Sequence, residues 1–102
     1  MITTPDTYII EDAAKTQYVA LNILCVPTVL DDTDTVNVQI RVLLDDGQIQ
    51  AHKDIEFTNA EIAAFTASGT TDRDKFFNQC EQAVVDYLEG FGGNAGVTFT
   101  IS

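Results

Sequence analysis

Alternation of apolar and polar residues over residues 36–57 constrains this chain more than any other feature. Val36, Val38, Ile40, Val42 and Leu44 take the even positions, and Asn37, Gln39 and Arg41 stand between them. A strand repeats every two residues, so one face is dry and the other wet. Asp46-Gly47 follows, a favoured pair for a two-residue type I′ turn because both central residues need positive φ. The predicted hairpin sets Leu44 opposite Ile49, Val42 opposite Ala51, Val38 opposite Ile55 and Val36 opposite Phe57. Its wet face gathers Arg41 opposite His52 and Gln39 opposite Asp54. A three-residue loop with a simple ladder would put Gln50 opposite Val42 and break the segregation. Lys53 departs from the pattern, falling on the dry face opposite Ile40. Its stem can lie along the apolar surface with the ammonium at the rim, or it is an inward charge that discourages edge pairing.

The remaining chain supplies material to cover that dry face. Residues 16–26 read as a strand, and from Tyr18 to Val26 they are apolar on both faces apart from Asn22, the pattern of a central strand. Pro27 is expected to end it, since proline cannot donate to a ladder. Val29 and Leu30 then fall at the tip of a loop over residues 28–35, where apolar residues are candidate contacts. Thr58-Asn59-Ala60-Glu61 has the form of a capping box opening a short helix to Ala67, with Gly69 near its end. Thr71, followed by Asp74 at three residues, caps a second helix predicted from Asp72 to Glu89. Phe76, Phe77, Cys80, Ala83, Val84, Tyr87 and Leu88 recur there at three and four and form its packing stripe. Gly90 stops the helix. The glycine-rich stretch after it lacks the spacing of a dinucleotide loop and follows a helix rather than a strand, so it reads as a connection. Val97, Phe99 and Ile101 point inward in a last strand over residues 97–102. The predicted class is α+β: an antiparallel meander, two helices packed on one face, and a C-terminal strand.

Length suits one domain over residues 13–102, preceded by residues 1–12 as an arm or a short strand. Tyr8, Ile9 and Ile10 either add that strand or dock on a neighbouring subunit. At 45% hydrophobic residues the chain can build a core. The net charge of −11, five basic against sixteen acidic residues, argues against direct nucleic-acid binding and against an anionic membrane surface. The first residues have neither a basic flank nor an apolar core, so no signal peptide is expected, and no run is apolar enough to span a membrane. Cys25 and Cys80 read as small buried hydrophobes in a reducing compartment, with a disulfide between them not called for.

Chemistry-bearing constellations do not emerge. One histidine, His52, lies on the wet face beside Arg41 and Asp54, where a surface ion pair accounts for it. Asp31, Asp32 and Asp34 could ligate a hard cation, but the EF-hand spacing fails: Asn37 stands where glycine is required, counting from Asp32. The segment therefore reads as a solvated acidic turn. No metal, no cofactor and no enzymatic role are expected.

Taken together, residues 36–44, Asp46-Gly47, residues 76–88 and residues 97–102 form a succession of meander, two helices and terminal strand. That succession resembles small structural proteins of tailed-phage virions, at the head–tail junction or in the tail. The resemblance implies a ring-forming homo-oligomer that contacts neighbouring virion proteins and is assembled in the host cytoplasm. Residues 1–12 and 97–102 would be its tethers. Candidate interface residues are Tyr8, Ile9, Ile10, Val29, Leu30, Val97, Phe99 and Ile101. Two other readings stand beside it: an acidic monomer that binds or inhibits a basic partner, and a divalent-metal binder.

Overall fold

The computed structural model describes residues 1–4, 7–9, 18–19, 22–30, 32–43, 48–91 and 94–101. The elements run β1 (Ile2–Thr3), β2 (Thr7–Tyr8), β3 (Tyr18–Val19), β4 (Asn22–Leu30), β5 (Thr35–Leu43), β6 (Ile49–Thr58), α1 (Asn59–Ala63), α2 (Asp72–Glu89) and β7 (Thr100–Ile101). Five strands form one antiparallel sheet in the order β6-β5-β4-β1-β7, and β2 pairs with β3 separately. The fold is α+β, as the alternation and helical spacing predict.

The hairpin register is the predicted one over most of its length. Val36 faces Phe57, Val38 faces Ile55, Ile40 faces Lys53, Arg41 faces His52 and Val42 faces Ala51. It fails at the turn end: Ile49 pairs with Leu43, not Leu44, because the register shifts after Val42. Gln50 is the extra residue on β6, a bulge. Because side chains alternate, the slip moves Ile49 off the dry face, and it is 51% exposed. The predicted turn at Asp46-Gly47 lies outside the described residues.

β4 corrects a second expectation. Pro27 does not end it; the strand runs on through Val29 and Leu30, which pair with Val36 and Thr35. β1 covers β4 only at Asn22 and Ile23. Beyond that point β4 borders β5 alone among the described strands, and a residue without an N–H is tolerated on such an edge. Val29 and Leu30 therefore stand on a hydrogen-bonded strand end, not in a loop.

Both helices open as predicted. The Glu61 N–H donates to Thr58 Oγ1 (3.1 Å) while the Thr58 N–H donates to Glu61 Oε1 (3.0 Å). Asp74 N–H donates to Thr71 Oγ1 at 3.1 Å. α1 ends at Ala63 rather than Ala67, and α2 side chains satisfy carbonyls of the segment that follows it. Gln79 Nε2 donates to Phe65 O (2.8 Å) and Gln82 Nε2 to Thr66 O (2.7 Å). Gly69, at φ +142°, cannot be replaced: an added Cβ would meet Asp74 Cβ at 2.7 Å.

One core joins these elements. Ile2, Ile23, Cys25, Val36, Val38, Ile40, Val42, Ile55 and Phe57 from the sheet meet Ile62 of α1 and Cys80, Ala83, Val84 and Leu88 of α2. Phe76 and Phe77, expected inside, are only half-buried at the edge of that contact. Glu81 is buried instead, 3% exposed, with its Oε2 2.6 Å from the Met1 ammonium. β7 is shorter than predicted, since its partner β1 offers only Ile2 and Thr3. Val97 and Phe99 nonetheless pack on the core, Phe99 edge-on to Tyr8 at 5.7 Å.

Gly90 keeps a right-handed conformation, φ −70°, so it does not end α2 by turning left-handed. Asn94, 2% exposed, binds the helix end. Its Nδ2 donates to Leu88 O (2.8 Å) and Ile9 O (2.9 Å), and its Oδ1 accepts from the Ile9 N–H (2.8 Å). A single amide thus joins the N-terminal segment to the end of α2. Asn94→Ala leaves three buried backbone groups without their partner and is expected to cost about 3 kcal/mol. Urea denaturation should show the lower midpoint, with the slope unchanged.

Candidate functional site

Tyr8 and Ile9, named above as contacts, are buried in this chain's own core, and Ile10 lies outside the described residues. Val97, Phe99 and Ile101 are half-buried against that core. Of the candidates only Val29 and Leu30 face solvent, at 52% and 38% exposure. They border an open hollow with Asp32 and Thr33.

Hydrogen bonds tie the turn beside this tip to the rest of the fold. Asp34 takes a left-handed conformation, φ +54°, which aspartate tolerates better than most residues. Its carbonyl accepts the Asn59 N–H at 3.1 Å, and its Oδ1 accepts from Asn59 Nδ2. Thr33 and Thr35 hydroxyls share a hydrogen bond of 2.5 Å. The turn after β4 is therefore tied to the first residue of α1. The same bonds bear on the cation expectation: the Asp34 carboxylate is turned to Asn59, and no group of three ligating side chains converges among the described residues. Asp31 lies outside them.

A second hollow of about 370 Å³ lies between α1, α2 and the end of β6, lined by Phe57, Glu61, Ala64, Phe65, Ala83, Asp86 and Tyr87. Its floor is apolar and two carboxylates stand in its lining. Neither alternation nor helical spacing marks it, because it forms only when the helices dock. Lys53 resolves nearby: its Nζ lies 5.6 Å from the Tyr87 ring centroid, a cation–π contact on the dry face. Tyr87 in turn meets Phe91 edge-on at 5.0 Å. On the wet face Arg41 Nε donates to Gln39 Oε1 (2.5 Å) and Asn37 Nδ2 to Asp54 Oδ1 (3.3 Å). These are ordinary contacts of a solvated sheet face.

The thiols are poor nucleophiles. Burial pushes Cys25 up to about 12, with Glu81 and Cys80 adding to the rise and the Met1 ammonium opposing it. Burial, then Glu81, pushes Cys80 up to about 11. Both are free and buried. No described helix is long and apolar enough to cross a membrane. Comparison of the chain with protein-family models, with curated proteins and with solved structures finds no match.

Native protein at pH 8 should therefore react with a maleimide far more slowly than the urea-unfolded chain, as intact-mass kinetics can show. Raised folded-state values also fix a direction. Stability from these thiols is complete below the unfolded value of 9.0, and it is lost as pH rises from there toward 11 and 12. Cys25→Ala/Cys80→Ala protein should show a flatter fall over that window in denaturation at stepped pH.

Proposed function

We propose that this chain is a structural subunit that acts through protein–protein contacts, in a tailed-phage virion as a head–tail connector or tail component, or in a similar assembly. Its partners are further copies of itself and neighbouring proteins of that assembly, and the role needs no catalysis. The exposed pair Val29 and Leu30 carries this reading. Among the described residues the large hydrophobics left in water are these two and Ile49, and these two stand side by side on a strand end held by hydrogen bonds on both flanks of its turn. Removing them from water would contribute roughly 25 cal/mol per Å² of apolar surface.

Ile49 supports a ring in particular. It is exposed at the opposite end of the sheet, where it pairs with Leu43, whereas Leu30 pairs with Thr35. Two different apolar points at opposite ends suit a head-to-tail contact, which closes into a ring when the rotation allows. The resemblance to virion subunits supports the biological setting. The acidic-binder reading has one observation in its favour, the α1–α2 hollow with its carboxylates, taken up below.

Light scattering across a range of concentration tests the proposal. The protein should form a discrete oligomer, and Val29→Ser/Leu30→Ser should shift it to monomer with its circular dichroism unchanged. A strict monomer at every concentration, or an oligomer indifferent to the double substitution, overturns it.

A further inference from the structure

The hollow between α1 and α2 has a chemistry that the exposed tip lacks. Phe57, Phe65, Ala64 and Ala83 give it an apolar floor, and Tyr87 closes one side. Glu61 and Asp86 supply two carboxylates from two different helices. At about 370 Å³ it falls within the range of sites that take small ligands and side chains.

Among the described residues no base pairs with Asp86, which stands exposed on α2. One oxygen of Glu61 accepts the Thr58 N–H at 3.0 Å, which leaves the second for another donor. The chain itself shows that an ammonium is accepted at this wall: Lys53 Nζ lies over the Tyr87 ring, 5.6 Å from its centroid. Aromatic faces attract cations through their quadrupole, and a carboxylate beside them adds a direct charge. The net charge of −11 steers a basic partner toward the surface as a whole, while this hollow joins its two carboxylates to a wall of three aromatic rings, Phe57, Phe65 and Tyr87.

We propose that the α1–α2 hollow receives a basic side chain, lysine or arginine, of a partner protein. The aliphatic stem lies on Phe57, Phe65 and Ala64, and the cation sits between Glu61 and Asp86. A basic side chain matches both halves of the site, since it carries an apolar stem and a charged head. The site is separate from the Val29–Leu30 tip, so a partner bound here and copies joined there can be held at once. The proposal goes beyond the assembly reading and does not depend on it.

The test is a two-dimensional amide NMR titration of the full chain with acetyl-Ala-Lys-Ala-amide and its arginine counterpart. Acetyl-Ala-norleucine-Ala-amide, which keeps the stem and lacks the charge, is the control. The basic peptides should shift amides of Glu61, Ala64, Phe65 and Tyr87, and the norleucine peptide should leave them in place. Asp86→Asn should weaken binding about fivefold. Lys53→Met, which removes the resident ammonium from the ring, should tighten it. Glu56→Gln, on the other face of β6, should leave it unchanged. Equal shifts with norleucine, shifts spread over the acidic surface, or equal weakening by Glu56→Gln would each overturn the proposal. Light scattering of the unsubstituted chain beside the titration keeps the two readings apart: an intact oligomer that never binds the basic peptides sinks this proposal alone, and a monomer that binds them sinks the assembly reading alone.

Discussion

The row of side chains that β5 turns toward α2 is the interaction on which the structure depends. Val36, Val38, Ile40 and Val42 are each fully buried, with β4 and β6 hydrogen-bonded on either side and Val84 and Leu88 packed in the same core. No other described strand has two long neighbours. β5 therefore sets the plane on which α1 and α2 dock, and the position of those helices creates the α1–α2 hollow. It also holds β4 straight past Pro27, which carries Val29 and Leu30 out to the exposed tip. The two candidate surfaces are consequences of one strand's burial.

Around that strand the termini are secured by polar contacts in dry places. β1 and β7 contribute two residues each, too few to hold themselves by a ladder alone. Asn94 supplies the missing connection by filling all of its donor and acceptor capacity toward Ile9 and Leu88 save one lone pair of Oδ1. Glu81 does the same for the first residue through its contact with the Met1 ammonium. Polar groups buried and paired in this way restrict the chain to one arrangement, since each alternative would leave them unsatisfied.

How much of this the sequence disclosed depends on the range of the interaction. Local rules worked: alternation placed Val36 opposite Phe57, and the capping residues Thr58 and Thr71 opened both helices where expected. Rules failed where a distant partner overrode them. The bulge at Gln50 depends on how the strand ends meet, and Pro27 continues β4 because the edge beside it has no described neighbour. α1 stops early, and the chain after it is held instead by Gln79 and Gln82 reaching across from α2. Glu81 and Asn94 were missed because their charge or polarity argues for the surface. One signal for Glu81 was present: it stands four residues after Phe77, three before Val84 and seven before Leu88, on the face that packs. Of the candidate sites, Val29 and Leu30 were legible as apolar residues out of place, although on a strand rather than a loop. The α1–α2 hollow was not legible, since its lining comes from elements whose docking no local pattern reports.

The claim that β5 organises the fold is tested most directly by native-state hydrogen exchange read residue by residue. The amides of residues 36–42 should be the last to exchange, opening only with global unfolding, while those of β2 and β7 exchange earlier through local opening. Exchange of the β5 amides as fast as those of β7 would contradict the account, because the strand would then be held by the fold and not the fold by the strand.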